Sequence, residues 1–282
     1  MIKIENISKL QEIRAVQALT DLEIKIHINP SDEPKFSLLK TYFGMSYNFK
    51  TINGSICLKD IVYIDHSTPK TSITTITKPL IFSKKILLNL KSKWPENRSV
   101  FFSFCGLITE KRKATIENWM YVHFNKIIHL KKENRTYKII RKILNAPKLN
   151  HLMILKYDKL QVWSSNRGRN FPVKSWDAEY YKYLLKSKFV LCPSGDYIWT
   201  YRFFESIMCG AIPIVEESCT AYNGFKFYYM KDSMSNIAWS PEIAIYNFNL
   251  CMERLTLTTE EATKIRYNLK KLALINKIEF DG

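Results

Sequence analysis

Acidic residues are scarce in this sequence. Against 43 lysines and arginines stand 26 aspartates and glutamates, a formal net charge of +17 over 282 residues. The deficit turns the chain toward polyanions: nucleic acid, an anionic membrane surface or a phosphorylated substrate. The basic residues are spread along the chain rather than gathered, which argues against a dedicated nucleic-acid groove. Long apolar runs are also missing. The best one, Val100 to Ile108, is broken by Ser103 and Gly106, too short and too polar to span a bilayer. Met1 to Glu5 has no apolar segment of a secretory signal. The expectation is a cytosolic protein, or one peripheral to an anionic membrane on its cytosolic side. None of the cysteines Cys57, Cys105, Cys192, Cys209, Cys219 and Cys251 forms a C-x-x-C pair. Zinc ligation and structural disulfides are therefore not expected, and the thiols are assigned to buried small side chains. There is no internal repeat and no low-complexity tail.

What is present is length enough for one large domain or two smaller ones, and one dense stretch, Ser187 to Glu216. Lys188 to Cys192 is a short run of strand formers. Pro193-Ser194-Gly195-Asp196 stops it with turn residues. Tyr201, Phe204, Ile207 and Met208 recur at helical spacing, and Gly210 stands where a helix takes its C-terminal glycine. Ala211 to Val215 is a second buried strand, with Pro213 near its start. This is a β-α-β unit with parallel strands. Ser194 and Gly195 fall at the carboxyl end of its first strand and just before a helix N-terminus, where α/β sheets bind ligands and free N–H groups favour anions. Arg202 in the first helical turn opposes the helix dipole, a placement that makes sense if it faces a bound anion. Glu205 follows on nearly the same face. A surface ion pair between Arg202 and Glu205 is the bland alternative.

The pattern S-K-F-V-L-C-P-S-G-D followed by Y-R-F-F-E-S-I-M-C-G-A-I-P-I-V resembles the signature of exostosin-type glycosyltransferases of family 47. The resemblance implies an α/β fold of GT-B type: two Rossmann-like halves facing a cleft, here with an abbreviated N-terminal half. It implies a nucleotide diphosphate-sugar donor, such as a UDP-sugar carrying xylose, glucuronate or galactose, a glycan hydroxyl acceptor, and transfer with inversion. It implies that Arg202 meets the donor diphosphate, that Glu205 binds its ribose, and that Ser194, Gly195 and Asp196 line the nucleotide pocket. Where relatives have small or hydroxyl residues, this chain carries Tyr197 to Tyr201. Phe102 to Gly106, with a basic residue entering the next helix, is similar to the start of the family's C-terminal domain. By that resemblance Gly106 lets the backbone approach the donor and Arg112 helps hold its phosphates, with Lys111 and Lys113 as rivals and a solvated helix face as the plain alternative. Ile237 to Ser240 is similar to the family's D-W-S element, with Ala238 replacing the acid. No D-x-D motif is present, and a cation with a helix dipole can do a metal's work on a diphosphate, so no obligatory metal or other cofactor is expected. Two further readings differ in class: a basic nucleic-acid-binding α/β protein, and a non-catalytic nucleotide-sugar-binding homologue.

The expected domains are residues 1–95 for the acceptor, 96–257 for the nucleotide-sugar, and 258–282 as a helix packing back toward the N-terminal half. Ser8 and Gln11 predict a capped helix, Leu22 to Ile28 a strand, Asn53-Gly54 a turn, and Ile56 to Ile64 a strand. That last strand ends at Asp65 and His66. An acid beside a histidine at a strand end suits a general base, and a turn-capping aspartate suits it equally. Ile127 to Leu130 is expected as a strand. Lys131 to Leu144 is expected as a basic helix, solvated or lying on anionic lipid. Gln161 to Pro172 is expected as a loop in which Trp163, Arg167 and Arg169 are within reach of a ligand. Thr258 and Glu261 form a capping box opening the final helix.

Overall fold

A computed structural model describes residues 2–49, 55–130, 151–166 and 170–275. The expected Asn53-Gly54 turn, the basic helix within 131–150, and Arg167 and Arg169 lie outside them. The molecule is a mixed α/β protein that divides into two compact units. One comprises 1–89, 174–176 and 251–282, and the other 90–173 and 177–250.

In the first unit β1 (Ile2–Ile4) is the centre of a small parallel sheet, flanked by β2 (Ile26–Ile28) and β3 (Ile56–Cys57). The helix α1 (Leu10–Asp21) joins the first two strands. Glu12, not Gln11, closes its first turn by accepting from the N–H groups of Ser8 and Lys9, while Gln11 is buried. Residues Ser37–Phe43 form α2, ended by Gly44 in the left-handed region. The expected strand from Ile56 is interrupted by one helical turn, α3 (Leu58–Ile61), and resumes as β4 (Val62–Asp65). β4 pairs antiparallel with β5 (Lys70–Ile73), and β5 with β6 (Ile76–Lys78).

The second unit opens at Leu90, near the end of α4 (Lys84–Lys91). Its sheet contains β7 (Val100–Gly106), β8 (His151–Tyr157), β9 (Leu160–Ser165), β10 (Ser187–Cys192), β11 (Ile212–Val215) and β12 (Tyr228–Tyr229). The strand order is β12-β11-β10-β7-β9-β8, parallel except for the β8–β9 pair. Gln161 to Ser165 are thus strand rather than loop, and Trp163 is buried and stacked on Tyr183 at 4.5 Å. Ile127 to Leu130 are not a strand, although Leu130 enters the core. On one sheet face α5 (Glu110–Phe124) packs Ile116, Trp119 and Met120 onto Phe102, Phe104, Phe189 and Leu191. The sheet also carries α6 (Ala178–Leu185) and α7 (Tyr201–Met208). Every residue of α7 after Tyr201 is buried, so α7 is enclosed on all sides, unlike a one-faced surface helix.

Two further helices, α8 (Pro241–Leu255) and α9 (Thr259–Ile275), end the described chain. The capping box at α9 forms in both directions: Thr258 N–H donates to Glu261, and Glu261 N–H donates to Thr258 Oγ1. Among the described residues, no helix is long and apolar enough to cross a membrane.

Candidate functional site

β7 and β10 are adjacent parallel strands, so their carboxyl ends, Gly106 and Cys192, open onto the same edge of the sheet. This is the edge where α/β proteins hold ligands. The loop from Pro193 to Thr200 leaves β10 and enters α7, whose N-cap Thr200 accepts from Phe203 N–H. The backbone N–H of Thr200 in turn donates to the buried Tyr222 hydroxyl at 2.8 Å.

Arg202, in the first turn of α7, is only 7 % exposed. Its Nε donates to the Cys105 carbonyl at 2.8 Å, and its guanidinium carbon lies 4.3 Å from the Phe104 ring centroid. Among the described residues its buried Nη1 has no hydrogen-bond partner. Burying a charged donor unpaired is costly. Gly106 is required by this arrangement, because a Cβ there would run into Arg202 Nη2.

Arg112 comes from the first turn of α5, where the Thr109 side chain caps its N–H. Its Nη1 donates to the Leu107 carbonyl at 3.3 Å, and its Nε lies 3.4 Å from the Ser194 carbonyl. Burial, and then the positive charge of Arg202, lower its pKa to about 10, and Asp196 acts in the opposite sense. A Cβ on Gly195 would lie 2.5 Å from Arg112 Nη2, so the bare backbone of this loop is what admits the arginine. Among the described residues neither arginine forms an ion pair. The structure thus brings Gly106, Arg112, Ser194, Gly195 and Arg202 together. Asp196 sits exposed at the rim.

Glu205, one turn along α7, is 1 % exposed. Its carboxylate accepts the Tyr180 hydroxyl at 2.8 Å and the Tyr181 hydroxyl at 3.0 Å, both from α6. In the first unit Asp65 ends β4, and its carboxylate accepts from Ser67 N–H, Ser67 Oγ and Thr68 Oγ1. Those hydrogen bonds lower its pKa to about 2. His66 beside it is held below its ordinary pKa by burial and then by Lys9.

Several residues that sequence reasoning did not single out prove to matter for the geometry. Glu216 directly follows β11; its carboxylate accepts from Ser194 N–H and from Thr115 Oγ1. Its position at a strand's carboxyl end was the available signal. His151 Nε2 lies 2.7 Å from Asp177 Oδ2, while Asp177 Oδ1 caps α6 and His151 Nδ1 lies 3.6 Å from Cys105 Sγ. At the other end of α7, Arg98 donates to the carbonyls of Leu185, Ser187 and Cys209. Gly210, at φ +74°, leaves room for Arg98 and Trp94, and its carbonyl accepts the Trp239 indole N–H. Trp239 is therefore a packing element of α7's C-terminal end.

A family model described as the exostosin GT47 domain matches residues 58–217, which include every residue of the arginine cluster. No curated protein matches the sequence. The crystal structure of the GtfA/B complex is similar at 13% identity with a TM-score of 0.36, covering 90% of this chain and 47% of that one. The chain thus spans about half the length of that protein.

Proposed function

This chain belongs to the exostosin GT47 domain family, and from that premise we propose that it is a glycosyltransferase. The proposed donor is a nucleotide diphosphate-sugar, a UDP-sugar in the first instance, and the proposed acceptor is a glycan hydroxyl. The observation that carries this reading is the buried Arg202 Nη1, a charged donor with no partner among the described residues, standing beside a second arginine at the carboxyl ends of β7 and β10. A donor diphosphate would supply anionic oxygens to both side chains. The GT-B architecture belongs to the same proposal.

In the proposed reaction the acceptor oxygen attacks the anomeric carbon as the bond from that carbon to the diphosphate oxygen breaks, with inversion. Negative charge grows on the leaving diphosphate, where Arg202 and Arg112 stabilise it. The acceptor's proton passes to a base. His66 suits this role better than Asp65, whose carboxylate is already held by three donors and whose low pKa makes it a weak proton acceptor. Two cationic side chains take the place of a divalent ion, so activity is expected to persist in EDTA. Glu205 is proposed to act on the ribose.

Calorimetry with UDP, followed by a nucleotide-sugar panel read by release of free UDP, tests the reading. Micromolar UDP binding that Arg202→Ala abolishes, with melting temperature retained, is the expected result. Stabilisation by oligonucleotides but not by UDP would favour the nucleic-acid reading. UDP binding without any sugar transfer would favour a non-catalytic homologue.

A further inference from the structure

We propose that Glu216 is a positioning residue that locks the two halves of the anion cradle in register, an inference that rests on the diphosphate reading above. The cradle is built from two separate pieces of chain: the loop at Ser194 and Gly195, and the first turn of α5, which carries Arg112. Glu216 touches the loop, and it touches α5 three residues beyond Arg112, at Thr115. One carboxylate oxygen accepts from the Ser194 backbone N–H, and the other accepts the Thr115 hydroxyl at 2.7 Å. Thr115 stands three residues after Arg112 on α5, and Arg112 Nε lies 3.4 Å from the Ser194 carbonyl. These contacts close a ring: loop to Glu216, Glu216 to α5, and α5 through Arg112 back to the loop.

A carboxylate is suited to this place because both of its oxygens accept and neither donates. Its hydrogen bonds are charge-assisted and short. By electrostatics alone it is poorly placed, since a fixed carboxylate bonded to the cradle loop opposes the binding of a second anion there. Its presence therefore makes physical sense through the geometry it imposes. Arg112 and Arg202 repel one another, the second cause, after burial, of the lowered Arg112 pKa. Something must hold α5 against the loop when no anion is bound, and Glu216 bonds to each.

The test is calorimetric titration of the full chain with inorganic pyrophosphate and with UDP. The chains compared are wild type, Glu216→Ala, Glu216→Gln and Thr115→Val, with a melting curve for each. If Glu216 acts by position, Glu216→Ala weakens pyrophosphate about tenfold or more, the scale of losing charge-assisted hydrogen bonds. Glu216→Gln then stays near wild type. Its carbonyl oxygen accepts from Ser194, and its amide donates to Thr115 Oγ1, whose own proton turns to the Lys111 carbonyl 3.1 Å away. Thr115→Val, which cuts one arm only, gives a loss smaller than that of the alanine variant. If Glu216 acts only as a charge, Ala and Gln both tighten pyrophosphate, and the proposal is overturned. Equal affinity in wild type and Glu216→Ala overturns it as well. Should the alanine chain not fold, unchanged binding in Thr115→Val has the same force. Failure of the wild type to bind pyrophosphate or UDP is a separate outcome, which removes the diphosphate reading and this inference with it.

Discussion

At the scale of single residues, two glycines and two arginines define the site. The glycines matter for the volume they leave empty. Gly106→Ala sets a methyl group against Arg202 Nη2 and the Phe104 ring. Since the arginine is anchored through Nε to the Cys105 carbonyl, it has to break that bond or push the strand. Overpacking of this kind costs about 1–3 kcal/mol. The expected outcome is a lower urea midpoint together with weaker UDP binding; wild-type affinity in Gly106→Ala would show that the guanidinium is free to move. His66 makes a prediction in pH. Its pKa is held below 6.5, first by burial and then by Lys9. The neutral imidazole is the basic form, so the rate should stay flat above pH 6.5 and fall as pH drops through the lowered value. His66→Gln should remove that acid limb along with most of kcat. The linked stability has the same sense: a histidine whose folded pKa is depressed stabilises the fold above its unfolded pKa, and that contribution is lost as pH falls through the folded one. An acid limb that survives His66→Gln assigns the base elsewhere.

At the scale of elements, α7 is the piece on which the cluster hangs, and its entry is held by one hydrogen bond from Thr200 N–H to the Tyr222 hydroxyl. Tyr222 is buried and stacked on Phe203 at 3.7 Å, so Tyr222→Phe keeps the packing and leaves a buried N–H unsatisfied. The expected loss is about 1–3 kcal/mol by denaturant unfolding, with UDP affinity falling too because Arg202 starts from that turn. A neutral substitution would mean that water reaches Thr200. The unit from β10 through α7 to β11 is the most legible part of the sequence. There strand formers, turn residues, helical spacing and the glycine at φ +74° agree at every position. Legibility fails where one signal hides another. Lys59 and Asp60 break the apolar run of 56–64 where the turn of α3 falls, but apolar residues resume on both sides, and one polar pair does not by its periodicity separate a helical turn from an outward-facing stretch of strand. β9 carries Gln161, Ser164 and Ser165, polar residues that look like loop until the neighbouring strands bury them. In the site, Arg202 and Gly106 can be seen from the motif, but the two tyrosines on Glu205 and the reach of Glu216 to Thr115 cannot. Those contacts join residues 24, 25 and 101 positions apart, and no local pattern encodes them.

At the scale of the whole molecule, the two units are not consecutive along the chain, and this has consequences for stability. The first unit takes its strands from the N-terminus but also residues from 251 onward. There α9 buries Ala262, Ile265, Leu269 and Ala273. Phe82 N–H donates to the Leu255 carbonyl at 2.7 Å, Lys78 pairs with Glu261 at 2.9 Å, and Asn268 donates to Thr75 Oγ1 at 2.9 Å. Each contact ties the C-terminal helices to elements before residue 90. The sheet of the second unit, by contrast, is drawn wholly from 100–229. A chain ending at Leu250 therefore removes part of one core and none of the other sheet. Burying four apolar side chains is worth several kcal/mol, at ~25 cal/mol per Å² of apolar surface, against a typical domain stability of about 5–15 kcal/mol. Hydrogen exchange on the truncated chain should show amide protection lost at Ile2–Ile4 and Ile26–Ile28 and retained in Val100–Gly106 and Ser187–Cys192. UDP binding to the arginine cluster, which lies in the retained unit, should persist while sugar transfer stops. Uniform loss of protection across both sets of strands would show that the units fold as one cooperative body, and full protection in Ile2–Ile28 would show that α9 is dispensable to its core.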